Sequence, residues 1–291
     1  MKKYILFLIP LIFFVMCQNS NKKVETVSVF LPTDTIPMQY SHLYHRHYLP
    51  ILDGIVNDSL HLDVLFDSGT CGTDFLIPES YKNFFDSDSA FVQIGRFKKQ
   101  MGIRYMGSNE SSIIDIIGNN TIIVGWYFFE NKIIKFDFQN QRILVYDELP
   151  DITEYSKTKI TLSHNSAVNS YLLIPAQVVL QGKTIQDTFV IDTGCNDYMV
   201  LTAKHNIEEL GIDTTNARYA KRAVGGGRRL GFTIPADTIK IGDLYVANEN
   251  VQITFGNYKA MVGLLGTKTL ENFSVILDLI NYDLYLKKIE N

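Results

Sequence analysis

Two short strings, Asp67-Ser68-Gly69-Thr70 and Asp192-Thr193-Gly194-Cys195, hold the residues of this chain most able to do chemistry. Their Asp residues stand 125 positions apart, each at the end of an apolar run. One carboxylate alone is a poor catalyst of amide hydrolysis. Two held together cannot both ionise easily, so they share a proton. The ionised member can then draw a proton from water while the protonated member hydrogen-bonds the carbonyl under attack. Such a pair needs neither a metal nor a nucleophilic side chain, and it titrates as a unit. Gly69 and Gly194 permit a tight turn and close approach of backbone to a reacting group. The Ser68 and Thr193 hydroxyls can bond across to the opposite triplet and lock the two loops together.

The elements that must deliver these carboxylates are visible as an internal repeat. Leu49-Pro50 and Ile174-Pro175 each place a proline 17 residues before its Asp. Between proline and Asp each copy alternates apolar and polar residues around a polar or Gly-containing turn, at Asn57-Asp58 and at Gln181-Gly182. That pattern predicts a β-hairpin in each copy. Downstream, Ile122-Ile123-Val124-Gly125 is echoed by Gly263-Leu264-Leu265-Gly266, Glu130-Asn131 by Glu271-Asn272, and Asp137 by Asp278, all at an offset of 141. The offset grows from 125 to 141, so the second copy holds 16 extra residues between its triplet and its glycine. A repeat this long predicts two similar lobes rather than a solenoid.

Composition agrees. The 291 residues accommodate two lobes of ordinary domain size. Tyr, Phe, Ile, Val and Thr are abundant, which predicts a mainly β chain. The net charge is −4, and without residues 1–16 it becomes −6, from 25 basic and 31 acidic residues. Nucleic acid is therefore not expected as a partner. Lys221-Arg222 and Arg228-Arg229 flank a glycine run and read as a solvated hairpin.

The amino terminus reads as an export signal over residues 1–16: Lys2-Lys3, then apolar residues from Tyr4 to Met16. Cys17 follows and opens a polar stretch. A Cys in that place resembles a bacterial lipoprotein signal, which implies lipidation of Cys17 and an exported protein, periplasm-facing or on the outer membrane or cell surface. Residues 17–48 then read as the lipidated Cys and a tether. His42, His45 and His47 lie at its end, but no Cys or carboxylate stands near them to complete a metal set, so no metal or cofactor is expected. Cys71 and Cys195 read as free thiols, with a disulfide between them as the alternative.

With those residues in place, the chain resembles the aspartic proteases, both the two-lobed pepsin type and the single-lobed retropepsin type. The resemblance covers residues 49 to 289 and rests on the two triplets, the segments ending at Gly125 and Gly266, and the strand pairs around Asp137 and Asp278. It implies a bilobal pepsin/retropepsin-like acid protease fold, mainly β, of two pseudo-symmetric β-barrel lobes over residues 49–150 and 158–289. It implies an envelope-anchored endopeptidase with Asp67 and Asp192 as the catalytic dyad. Ser68, Gly69, Thr70, Thr193 and Gly194 would support the catalytic loops, and Asp137 and Asp278 would be turn residues. The substrate would be a peptide or protein, the membrane partner the lipid on Cys17, and the chain a monomer with an internal pseudo-dimer. Two departures stand out. Cys195 occupies a place where the family usually has Thr, Ser or Ala. The one good candidate for a flap over the cleft, Gly225-Gly226-Gly227, lies in copy two, whereas in the pepsin type the main flap belongs to lobe one. These departures leave a non-catalytic peptide-binding lipoprotein on the same fold as the alternative.

Overall fold

The computed structural model describes residues 31–41, 46–107, 114–115, 117–164, 167–202, 205, 207–224, 227–254 and 262–289. The expected signal segment, Cys17, His42, His45, Gly225 and Gly226 lie outside them. Among the described residues strands dominate and helical turns are short. No helix among them is long and apolar enough to cross a membrane.

The hairpins form where the apolar alternation places them. In Leu60–Asp67 the side chains of Leu62, Val64 and Phe66 are buried. Its partner Arg46–Val56 is joined to it through Asn57 and Asp58, both at positive φ. The second copy pairs Leu172–Leu180 with Lys183–Asp192 through Gln181 and Gly182, also at positive φ, the geometry of a tight hairpin turn. In lobe one the pairing runs in a circle: Arg46–Val56, Leu60–Asp67, Thr121–Gly125, Asp74–Pro78, Phe97–Met106, Ser89–Ile94 and back to Arg46–Val56. That is a closed six-strand barrel. Lobe two repeats the circuit, with the counterpart of the long strand Phe97–Met106 split into Leu244–Ala247 and Asn250–Thr254 at Asn248, which takes φ +60°. The fold is the mainly β, two-lobed one expected.

A six-stranded sheet joins the lobes in the order Asp34–Pro37, Arg142–Tyr146, Ile133–Asp137, Phe273–Asp278, Asp283–Lys288, Ser156–Lys159. Three strands come from each lobe, in mirrored order. At its centre Ile133–Asp137 runs antiparallel to Phe273–Asp278. Asp137 and Asp278 sit at the strand ends and hold the following turns: Asp137 accepts from Asn140 and Arg142, and Asp278 from Ile280 and Asn281.

Three sequence expectations change. The tether expected over 17–48 does not extend that far, because Asp34–Pro37 is an outer strand of the joining sheet and Gln39–Ser41 pairs with Arg46–Val56. Ile36 and Met38 are buried there. These strands are too short to show a period. The repeat thus begins near residue 34, where Asp34–Pro37 is the counterpart of Ser156–Lys159.

The matched prolines are the second change. Leu52 pairs with Val64 and Ile174 with Phe189. Phe189 follows Val64 by 125 residues but Ile174 follows Leu52 by only 122, since the second hairpin is three residues longer. The counterpart of Pro50 is therefore Leu172, and the equal proline spacing is a coincidence.

Third, the 16 extra residues are a net of unequal changes. Met199 follows its counterpart Phe75 by 124, Ile241 follows Ile94 by 147, and Leu265 follows Val124 by 141. A large insertion precedes Thr238–Ile241, and a smaller deletion follows Asn250–Thr254. The insertion contains an additional hairpin, Arg218–Val224 with Gly227–Pro235.

The outer strand 34–37 is an integral part of the joining sheet, so Ile36→Ala should lower stability by about 2–4 kcal/mol, read as a shifted midpoint in urea unfolding. A change under about 0.5 kcal/mol would return this segment to a tether.

Candidate active site

Each triplet follows a strand whose last residue is Asp, and each lies beside a parallel strand ending in glycine. Asp67 stands opposite Gly125 and Asp192 opposite Gly266. The glycines are sterically required. A Cβ on Gly125 would collide with the carbonyl of Thr70, and one on Gly266 with those of Asp197 and Cys195. The triplet loops are thus folded back onto bare backbone.

The two loops meet at the pseudo-twofold axis. The Ser68 hydroxyl donates to the Ile191 carbonyl at 2.7 Å and accepts the Thr193 N–H at 3.0 Å. Reciprocally, the Thr193 hydroxyl donates to the Phe66 carbonyl at 2.7 Å and accepts the Ser68 N–H at 2.9 Å. Both residues are fully buried. Each hydroxyl uses its donor and an acceptor on the opposite lobe, so neither lobe satisfies its own loop without the other.

The carboxyls are brought together behind this lock. A Cβ on Gly69 would lie 2.5 Å from the carboxyl carbon of Asp192, and one on Gly194 equally close to that of Asp67. Each glycine therefore supports the opposite lobe's carboxyl. Asp67 accepts the Gly69 N–H and the Thr70 hydroxyl, both at 2.8 Å. Asp192 is held well above the usual carboxylate range, first by burial, then by the charge of Asp67 and a hydrogen bond with it; the N–H groups of Gly194 and Cys195 oppose the shift. Its Oδ1 is buried with no hydrogen-bond partner. The cause is local. Where Thr70 gives Asp67 a hydroxyl, lobe two has Cys195, whose thiol is itself pushed up by burial. Cys71 and Cys195 are both free thiols. No metal-binding group of three or more ligands exists among the described residues.

The hairpin with the glycine run lies only in lobe two. Its pairing continues to Val224 opposite Gly227, while Asn250–Thr254 covers it only as far as Gly231. Beyond that point the arm is two strands wide. Lobe one has only the short 3-10 turn Glu79–Phe84 at this place, and its Gly95 and the later Gly242 occupy equivalent turns at φ +57°. Tyr171 and Trp126 also belong to the site's surroundings. The Trp126 indole N–H donates to the Ser170 carbonyl of the other lobe at 3.0 Å. The Tyr171 hydroxyl hydrogen-bonds the Cys71 thiol, close enough to Asp67 and Arg104 to feel both charges. Sequence reasoning did not reach Tyr171 or Arg104, which belong to no motif and are distant in the chain.

With this geometry in view, the similarity to known proteins is informative. Residues 176–269 match a family model described as aspartyl protease. The match starts within the first hairpin of lobe two and ends just beyond Gly266. Among solved structures, the chain is similar to a retropepsin-like aspartic protease from Rickettsia conorii, with 24% identity, coverage of 45% of this chain and 93% of that one, and a TM-score of 0.33. No curated protein matches the chain. Lobe one repeats the circuit of the matched lobe, with the register of Asp and glycine preserved.

Thr193→Ala removes one donor and one acceptor from the lock and leaves the Ser68 N–H and the Phe66 carbonyl buried without them. It should destabilise the protein by about 2–4 kcal/mol in chemical denaturation. A loss below about 0.5 kcal/mol would show that the two loops hold their places independently.

Proposed function

We propose that the chain is a single-chain aspartic endopeptidase in which Asp67 and Asp192 act together on a water molecule. The family match supports protease function in general. The observation that supports the finer reading is the pair of carboxyls from opposite lobes, each lying against the other lobe's triplet glycine. Asp192, whose buried Oδ1 lacks a hydroxyl donor, is the member suited to hold the shared proton. Asp67, which accepts from Gly69 and Thr70, is the member suited to be the base.

In this mechanism Asp67 takes a proton from water as the water oxygen bonds to the scissile carbonyl carbon. The carbonyl π bond opens, and its oxygen takes the proton of Asp192, giving a neutral gem-diol. Asp67 then gives its proton to the amide nitrogen as the C–N bond breaks, and one gem-diol hydroxyl returns a proton to Asp192. Both carboxyls end as they began, so no cofactor is needed. The glycine-rich hairpin of lobe two, with Gly225, Gly226 and Gly227 at its tip, would act as a flap over bound peptide. The sequence pattern further supports lipid attachment at Cys17, an exported envelope location and, since one chain supplies both carboxyls, a monomeric enzyme. Cys195 and the absence of a lobe-one hairpin favour the second reading, a peptide-binding lipoprotein without turnover.

Incubating the full-length protein with a diverse peptide pool from acidic to neutral pH separates the two. Asp67→Asn and Asp192→Asn should each reduce cleavage at least 10²-fold, the usual scale for a lost acid or base. Identical products from wild type and both variants would end the protease reading.

Stability provides a readout independent of turnover. The folded site binds a proton at Asp192 that the unfolded chain releases near the ordinary value of 3.8. Stability should therefore decline as pH rises from there toward the raised folded value and then level off. Asp192→Asn should flatten that decline and leave the protein more stable than wild type at neutral pH. A wild-type unfolding midpoint that rises across this window would contradict a protonated Asp192.

Cys195→Thr supplies Asp192 with a hydroxyl donor that favours its anion. The alkaline limb of kcat/KM should then move to lower pH by roughly one unit. An unmoved limb would exclude Cys195 as the source of the asymmetry.

A further inference from the structure

Lobe one has no counterpart of the inserted hairpin, and this changes one position in the barrel wall. Gln252 and Arg104 are equivalent: each lies in the strand running parallel to the one after the triplet, Gln252 opposite Val200 and Arg104 opposite Leu76. Gln252 is 1% exposed, because the hairpin strand covers it through the pair Thr233–Gln252. Arg104 has no such cover and is exposed. It has no ion-pair partner among the described residues. The missing hairpin thus leaves a guanidinium open beside the triplet loop of lobe one.

Tyr171 stands against the same place. Its backbone is tightly held: its N–H donates to Ser163 Oγ at 2.9 Å, its carbonyl accepts the Ser163 N–H at 3.1 Å, and the preceding carbonyl is held by Trp126. The Ser170 hydroxyl closes the loop onto the His164 carbonyl at 2.9 Å. From this base the ring reaches across the lobe boundary to Cys71 and remains 38% exposed. A fixed phenol and an exposed guanidinium thus stand within electrostatic range of each other and of Asp67. Arg presents a planar fork that matches a carboxylate in bidentate fashion. Tyr adds a ring face and a hydroxyl at low entropic cost.

We propose that Arg104 and Tyr171 form a subsite for an acidic side chain, Asp or Glu, of the peptide substrate on the lobe-one side of the cleft. This rests on the endopeptidase reading and names the substrate class for it. The lobe-two hairpin provides independent support. From Arg218 to Pro235 it carries five cations and no acidic residue, in a chain of net charge −4. A cationic hairpin in an anionic chain favours an anionic ligand.

The test uses the full-length protein and peptide series that differ only in Glu or Gln at single positions flanking the scissile bond. At one position the kcat/KM ratio of Glu to Gln peptide should be about fivefold or more, the scale of an exposed ion pair. Arg104→Gln should bring that ratio to near one, and Tyr171→Phe should reduce it. Lys240→Gln, an exposed cation remote from the triplets, should retain it. A Glu preference that survives Arg104→Gln, or the absence of any Glu preference in wild type, overturns the subsite. Anisotropy binding of the same peptides to Asp67→Asn protein separates the two ways of failing. Arg104-dependent Glu binding without Asp67-dependent cleavage removes the endopeptidase reading and retains the subsite. Asp67-dependent cleavage without Glu preference removes the subsite alone.

Discussion

The reciprocal exchange between Ser68 and Thr193 is the constraint on which the rest of the structure depends. Each hydroxyl is buried and bonded to backbone of the opposite lobe at 2.7–3.0 Å. A buried polar group without partners costs about 1–3 kcal/mol, so the loops cannot separate cheaply. Because the lock sits one residue after each Asp, it fixes both carboxyls relative to each other before any substrate arrives. The glycines complete the arrangement. With no Cβ at 69 and 194, each carboxyl lies against the backbone of the other loop. The two acids are thereby held close together, and burial and the charge of Asp67 hold Asp192 above the usual carboxylate range.

The six-stranded joining sheet serves the same end at longer range. Its mirrored order means that each lobe contributes an equivalent set of three strands, and the antiparallel pair at the centre lies on the axis relating the lobes. A lobe separated from its partner would expose the edge of its central strand. The hydroxyl lock and the Trp126 indole N–H on the Ser170 carbonyl add further links between the lobes.

Against this symmetric frame the functional differences are asymmetries of insertion and of single atoms. Lobe two has an added hairpin and lobe one has an uncovered strand with Arg104. Thr70 gives Asp67 a hydroxyl, whereas Cys195 leaves Asp192 Oδ1 without one. A duplicated unit would have two equivalent acids. The loss of one hydroxyl distinguishes them, since Asp67 has a donor that Asp192 lacks.

Much of this was legible in the chain. The triplets, the glycines at 125 and 266, and the alternating hairpins are local patterns, and local sterics make them readable: Asp-[Ser/Thr]-Gly suits a tight turn and alternation suits a half-buried strand. Other features were misread or missed because they depend on register. The proline spacing matched by accident, since the second hairpin is three residues longer and sequence distance does not reveal which residues pair. Strands 34–37 and 39–41 were too short to carry a period; the first pairs with residues more than a hundred positions away, and the second pairs with 46–56 at a shifted register. Tyr171 and Arg104 carry no motif. The sequence by itself determined that two acidic turns exist in two similar lobes, because that information lies in neighbouring residues. Tertiary structure alone decided that the two carboxyls meet, which carboxyl oxygen lacks a hydroxyl donor and which cation is left uncovered, because burial and hydrogen-bond satisfaction belong to groups that meet only when the chain is folded.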